Sequence, residues 1–304
     1  MSKIIAVVNQ KGGVGKTTTS VNLAANLAHL GLETLLIDLD PQSNATSGLG
    51  IDKNANPSHI YRALLGEIPL KNALLPTEID WLDIAPSHID LIGAELELVS
   101  MQEREMRLKN ILTPFLDVYK YIIIDCPPSL GLLTLNALVA ANSILIPIQC
   151  EYYALEGLGQ LVKTIELLRG NLNPNLEIEG ILLTMYDSRM NLSKQVVEEI
   201  KKHFGDKVYK TMIPRTVRLA EAPSFGKPMI LYDKSAKGTL AYLKLTKELL
   251  SKQPKDIQLQ STPEVAAEIQ PIKVEKNNQP QAEQSPIQNE QTVPEQPAVE
   301  VKTN

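Results

Sequence analysis

The stretch Lys11-Gly12-Gly13-Val14-Gly15-Lys16-Thr17-Thr18 decides how the rest of the chain is read. Residues 3–9 before it are a short apolar run with the β-branched content of a buried strand. Residues 17–30 after it carry apolar positions at helical spacing, closed by Gly31. A glycine-rich turn between a strand and a helix lets successive backbone N–H groups approach an anion with no Cβ in the way. The helix that follows aims its positive end at the same point. In that setting Lys16 neutralises β- and γ-phosphates, and the Thr17 hydroxyl is placed for Mg²⁺. From average residue usage, such a pattern arises by chance in a chain of this length on the order of once in ten thousand. Lys11, Gly12, Gly13, Val14, Gly15, Lys16, Thr17 and Thr18 therefore form a candidate nucleotide cradle.

Outward from this turn, apolar β-branched runs alternate with helical patterns. Strands are expected at 34–38, 81–85, 119–125, 143–149, 178–185 and 208–213. Helices are expected at 103–116, 131–141, 155–168, 192–204 and 237–250. Strands that are apolar on both faces and separated by helices predict an α/β fold, a mostly parallel twisted sheet covered on both sides. Such sheets bind ligands at the carboxyl ends of their strands. No internal repeat is present.

Composition narrows the class. Thirty basic against 35 acidic residues in 304 give a net charge of −5, which excludes a uniformly basic chromatin-type protein. Four histidines and two cysteines, none at metal-ligand spacing, argue against a zinc or disulfide framework. Cys126 and Cys150 read as reduced thiols. The apolar run 4–8 is too short for a signal peptide, and no run of 18 apolar residues spans a membrane. A soluble cytoplasmic protein is expected. The last 50 residues, from 255, hold nine Gln, seven Glu and six Pro, with no aromatic residue and no Gly. That composition cannot bury enough surface to offset its ordering entropy. We expect one catalytic domain over 1–252 and a disordered Gln/Glu/Pro-rich tail over 253–304, either a solvated appendage or a tether for a partner.

Two further segments point at the cradle. Leu36-Ile37-Asp38-Leu39-Asp40-Pro41-Gln42 ends the second strand, and strand periodicity puts Asp38 and Asp40 on one side. Both carboxylates suit phosphate chemistry or the capping of nearby N–H groups. Ile122-Ile123-Ile124-Asp125-Cys126-Pro127-Pro128 is a buried strand ending in an acid, and Asp125 is placed to hold Mg²⁺ through a water. Arg189 follows one strand while Arg215 and Arg218 follow the next, so the three are expected to share one edge.

Five positions before Gly15 the common phosphate-loop pattern has Gly, and this chain has Gln10. The loop instead resembles the deviant Walker A motif of the ParA/MinD superfamily, whose signature lysine matches Lys11. Asn9-Gln10 is closer to the partitioning ATPases, and the resemblance covers about residues 3–250. It implies a P-loop NTPase fold, ATP and Mg²⁺ as cofactors, and a slow ATPase. It also implies an ATP-state homodimer in which Lys11 reaches phosphates of the other subunit. Asp40 would position the attacking water, Asp38 would support its loop, and Gly131 would lie in the second switch. Met185, Pro214 and Thr216 fall where family members hold adenine. Arg189 and Arg218, with Arg215 beside them, match positions that contact double-stranded DNA backbone without reading sequence. A ParB-type centromere-binding partner would stimulate hydrolysis, and the protein would associate with the nucleoid. The chain starts almost at its first strand, so no operator-binding domain is expected before it. Two other readings share the loop. One is a MinD-like membrane-positioning ATPase, whose basic amphipathic C-terminal helix this tail lacks. The other is an electron-transfer ATPase like nitrogenase iron protein, which needs two cysteines per subunit.

Overall fold

The expected strands pair into one seven-stranded sheet in a computed structural model that describes residues 2–253, apart from Asn56, Tyr152 and Tyr153. The strands are β1 (Lys3–Val7), β2 (Thr34–Asp38), β3 (Leu75–Pro76), β4 (Leu82–Ala85), β5 (Tyr121–Asp125), β6 (Ser143–Gln149) and β7 (Glu177–Thr184). Their order across the sheet is β3-β4-β2-β5-β1-β6-β7. Every pairing is parallel except β3 on β4. That antiparallel edge is two residues long and contains Pro76, so it offers little template for a further strand. The expected tail lies, from residue 254 on, outside the described residues.

Strand alternation sorts the core into two faces. Ile4, Ala6, Leu35, Ile37, Ile122 and Ile124 point to one side. Ile5, Val7, Leu36, Tyr121 and Ile123 point to the other. The first face is covered by the helices Leu132–Ala140, Ala154–Asn171 and Asn191–Phe204, through residues such as Leu138, Ile165 and Ile200. The second is covered by α1 (Lys16–His29) and the helix Lys237–Lys252, through Leu23, Leu27, Tyr242 and Leu245. Burial on both faces is why these strands read as continuous apolar runs.

Register then sets the site. Asp125 lies beside Val7 on one neighbour and beside Asp38 on the other. Two carboxylates thus end β5 and β2, the two successive strands on one side of the phosphate-loop strand β1.

Two expected elements differ. Residues 208–213 run beside β7 but form only isolated bridges, Ile181 with Val208 and Tyr186 with Pro214. Where the ladder breaks, the N–H groups of Lys210 and Thr211 donate to the Glu248 carboxylate, at 2.7 and 2.9 Å, and that of Thr211 is thereby lost to β7. The helix expected over 103–116 contracts to Arg107–Leu112 with a 3₁₀ turn Thr113–Phe115, where Pro114 removes a donor.

Candidate nucleotide site

The turn after β1 is held from both sides. Asn9 donates through Nδ2 to the Pro147 carbonyl (2.7 Å), and its Oδ1 accepts from Lys11 N–H (2.9 Å). Across the loop, the Thr184 hydroxyl at the end of β7 donates to the Val14 carbonyl (2.8 Å). Gly13 and Gly15 adopt φ of 74° and 88°, the left-handed region where a side chain is strained. Nothing lies within 4 Å of where a Cβ on Gly12 or Gly13 would sit, so the concave side of the loop is open. Gly15 also opens α1 without a side-chain cap. The helix's first N–H groups therefore face that open space as donors.

Lys16 sits at the base of this concavity, 6% exposed. Among the described residues its Nζ makes one hydrogen bond, to the Lys11 carbonyl at 3.3 Å. Burial lowers its pKa, while Asp125 and Asp40 pull it back up. A buried ammonium with one long bond calls for an anionic partner.

The carboxylates divide by role. Asp125 accepts from the Ser20 hydroxyl (2.7 Å), and its other oxygen, Oδ2, is buried with no hydrogen-bond partner among the described residues. Burial, with Asp38 next to it, pushes its pKa above the ordinary carboxylate range; the hydroxyls of Ser20 and Thr17 oppose this. Asp38 is fully occupied. It accepts Asp40 N–H (3.1 Å) on one oxygen and both Thr46 N–H and its hydroxyl (each 2.8 Å) on the other. Its pKa is also raised by burial. Asp38 therefore ties together the loop that carries Asp40, the capping role that its spacing left open. Asp40 accepts Gln42 N–H (3.0 Å) through Oδ1, and its carbonyl accepts from the Ser87 hydroxyl (2.6 Å).

This donor set fits Mg²⁺ and a nucleoside triphosphate. The unpartnered Oδ2 of Asp125 lacks the positive or donor group that a buried carboxylate oxygen requires. The open glycine cradle, the uncapped helix end and Lys16 lack an anion.

Comparison with known proteins reads the same way. A family model described as an AAA domain matches residues 2–178. The Bacillus subtilis sporulation initiation inhibitor protein Soj is 58% identical over 249 residues, 82% of this chain and 98% of Soj. The Myxococcus xanthus chromosome partitioning protein ParA is 57% identical over 252 residues, covering 83% and 89%. The chain belongs to the ParA/Soj family of partitioning ATPases. A solved structure of Mycobacterium smegmatis cobyrinic acid a,c-diamide synthase with a bound ATP analog and magnesium is similar at 38% identity and a TM-score of 0.73, covering 82% of this chain and 95% of that one. As a ParA/Soj ATPase, the protein uses ATP and Mg²⁺.

The remaining residues singled out in the sequence are spread around this site. Met185 and Pro214 come together: Tyr186 N–H donates to the Ile213 carbonyl (3.0 Å), and Arg215 N–H to that of Tyr186 (3.2 Å). Met185 holds φ of 51°, strain of the sort that collects at ligand sites. Thr216 caps the helix Val217–Glu221, accepting Leu219 N–H at 3.4 Å. None of these three lines the 380 Å³ cavity that opens beside the phosphate loop. That cavity is walled by Thr17, Thr18 and Asn22 of α1, by Ser47, and by Leu219 and Pro223. The sequence reading missed the 219–228 wall. Its signal was the turn-forming run Pro223-Ser224-Phe225-Gly226-Lys227-Pro228.

Lys11 points away from the cradle of this ParA/Soj chain. Its Nζ pairs with Glu151 Oε2 at 2.7 Å, with both side chains nearly half exposed. The arginines have different partners. Arg189, 87% exposed, makes a two-pronged contact with Asp187 (2.9 and 2.6 Å), whose carboxyl it holds down at about 2, and Arg215 acts on the same acid. Arg218 instead lies 3.5 Å from Glu221, 3.9 Å from Asp233 and over the Tyr232 ring. Cys126 and Cys150 are buried thiols whose pKa values burial drives up. A cluster bridging two subunits needs exposed thiolates, so these cysteines are unsuited to it. Among the described residues no helix is long and apolar enough to cross a membrane.

Proposed function

We propose that the ATP-bound chain forms a homodimer, that the dimer binds double-stranded DNA without reading its sequence, and that a ParB-type partner stimulates the hydrolysis that releases it. On this reading the protein works in the cytoplasm on the nucleoid. The observation that carries the dimer is the placement of Lys11. It is an exposed cation beside the cradle, held by one solvated carboxylate, and so is free to serve phosphates presented by another subunit at small cost.

Within the site, the loop N–H groups and Lys16 bind the phosphates and offset their charge. Thr17 and Asp125 would hold Mg²⁺, which would supply positive charge against the phosphates. Asp40 orients the attacking water, kept in place by Asp38 below it and Ser87 beside it. Met185, Pro214 and Thr216 border the base.

Lys11 and Asp40 then separate by experiment. Lys11→Ala is expected to bind ATP as a monomer and to lose ATP-dependent dimerisation, by light scattering. Asp40→Ala is expected to dimerise and to release phosphate at least about a hundredfold more slowly, the scale of a positioned catalytic group. Normal partner-stimulated turnover in Asp40→Ala would remove it from the reaction.

DNA binding rests on Arg189, Arg215 and Arg218. A domain with nearly balanced charge needs a local patch, doubled by dimerisation. Retention on two unrelated duplexes should require ATP rather than ADP. Alanine at one arginine should weaken both duplexes alike. It should also flatten the plot of log affinity against log salt by roughly 0.9 per phosphate contact, approaching about 1.8 in a symmetric dimer. An unchanged slope in the triple variant would place the DNA surface elsewhere. Binding to anionic vesicles in place of DNA would favour the membrane-positioning reading.

A further inference from the structure

Two of the chain's four histidines meet away from the nucleotide. His59 precedes the helix Ile60–Leu65, and His88 and Asp90 sit in the loop after β4. The two segments are joined by Ile60 N–H donating to the Pro86 carbonyl (3.0 Å). The imidazoles stack with centroids 4.6 Å apart. His59 Nε2 lies 3.9 Å and His88 Nδ1 3.0 Å from the same atom, Asp90 Oδ2. One ligand atom from each residue falls within 4.8 Å of the others.

From this geometry we propose that His59, His88 and Asp90 form a binding site for a divalent transition-metal ion of the zinc type. A tetrahedral ion with ligands at about 2.0–2.1 Å holds its ligand atoms about 3.3 Å apart. The two contacts to Asp90 Oδ2 bracket that spacing, and because imidazole lone pairs lie in the ring planes, the more exposed His88 ring turns out of its stack on His59 to meet the ion. Two imidazoles and a carboxylate are the donor set that suits such an ion, and they leave a fourth position for water. The His59 side chain is 6% exposed, and its Nδ1 has no partner among the described residues, so little holds the ring except its packing. At His88 the ion would replace the 3.3 Å contact from Asp90 N–H and come between Nδ1 and Asp90 Oδ2, now 3.0 Å apart.

The site has a path to the hydrolytic centre. Ser87, next to His88, donates its hydroxyl to the Asp40 carbonyl, and its N–H donates to the Thr46 hydroxyl (3.0 Å), which itself bonds Asp38. An ion that fixes this loop also fixes the backbone of Asp40.

The test is titration of the chelator-treated, nucleotide-free full chain with Zn²⁺ by calorimetry, and with Co²⁺ by visible absorption. One Zn²⁺ per chain with micromolar affinity is expected, with a Co²⁺ spectrum of low coordination number. His88→Ala and Asp90→Asn, at more exposed positions, should each weaken Zn²⁺ at least about tenfold while nucleotide affinity is kept. His59→Gln should do the same. Binding that is unsaturable, or equal in wild type and in the His88→Ala/Asp90→Asn double variant, overturns the proposal. So does an octahedral Co²⁺ spectrum insensitive to these changes. If only a proton joins His88 to Asp90, wild type shows no metal-dependent heat, and the site is a hydrogen-bonded pair instead.

Discussion

Lys16→Ala is expected to lose ATP affinity by at least about a hundredfold, and with it nearly all turnover. The wild-type ammonium is already desolvated, so its contact with phosphate forms without a further burial penalty. Its only bond among the described residues is a 3.3 Å one to the Lys11 carbonyl. Removing one partner of a buried charge contact typically costs about 2–5 kcal/mol, and about 3 kcal/mol is two orders of magnitude in affinity. The fold should survive. The side chain lies in the cradle rather than in either apolar cluster, and removing an underpartnered buried cation relieves a desolvation cost. Fluorescent-nucleotide titration alongside thermal unfolding checks both halves. Wild-type affinity in this variant would mean that the phosphates bind elsewhere, and an unfolded variant would mean that Lys16 is structural.

The same segment shows why so much of the site was readable from sequence. A phosphate loop is a local object: eight consecutive residues, a strand before and a helix after. The carboxylates were legible because parallel strands of similar length end together, and Asp38 and Asp125 are in fact register neighbours. Strands 34–38 and 143–149 have the expected bounds. What the sequence hid depends on partners far along the chain. Glu248 captures the N–H groups of Lys210 and Thr211 from 37 or 38 residues away, and no local pattern reports that a helix side chain will take these donors. The cavity wall at 219–228 is likewise built by long-range contact, with Asn22 of α1 accepting Met229 N–H at 2.8 Å. The partners of Arg218 (Glu221, Tyr232 and Asp233) are likewise set by contacts outside its local pattern, as Tyr232 and Asp233 come from the next helix and its cap. His59 and His88 are 29 positions apart and meet only because the loop after β4 packs on the helix Ile60–Leu65.

Asp38 and Asp125 make a physical contrast at one strand end. Both are buried carboxylates, and both are pushed to higher pKa by that burial. Asp38 has a donor for each oxygen, whereas Asp125 has a hydroxyl for one and nothing among the described residues for the other. A residue kept for architecture fills its own valences. Asp125 keeps one open.

That open valence gives the second large effect. Asp125→Asn is expected to reduce Mg²⁺-dependent hydrolysis at least about a hundredfold and at the same time to stabilise the nucleotide-free protein. Asparagine keeps an Oδ1 acceptor for Ser20, so the packing is preserved, but it removes a buried charge whose Oδ2 has no hydrogen-bond partner among the described residues. The direction with pH follows from the raised pKa. Because the folded state holds this proton more tightly than the unfolded chain, the group's contribution is full below the ordinary carboxylate pKa of about 4. It is lost as pH rises through the higher folded value. Nucleotide-free wild type should therefore unfold at lower temperature as pH climbs from mildly acidic to mildly alkaline, and Asp125→Asn should flatten that slope. At mildly alkaline pH the variant should gain at least about 1 kcal/mol, the worth of a single pKa unit. Mg²⁺ with ATP should reverse the order, raising the wild-type midpoint more than the variant's, since a ligand that binds only the folded state stabilises it in proportion to its affinity. Thermal unfolding across pH, with and without Mg²⁺–ATP, reads all of this in one series. If Asp125→Asn is destabilised at every pH, the carboxylate is part of the architecture after all, and the cation must be held by other groups.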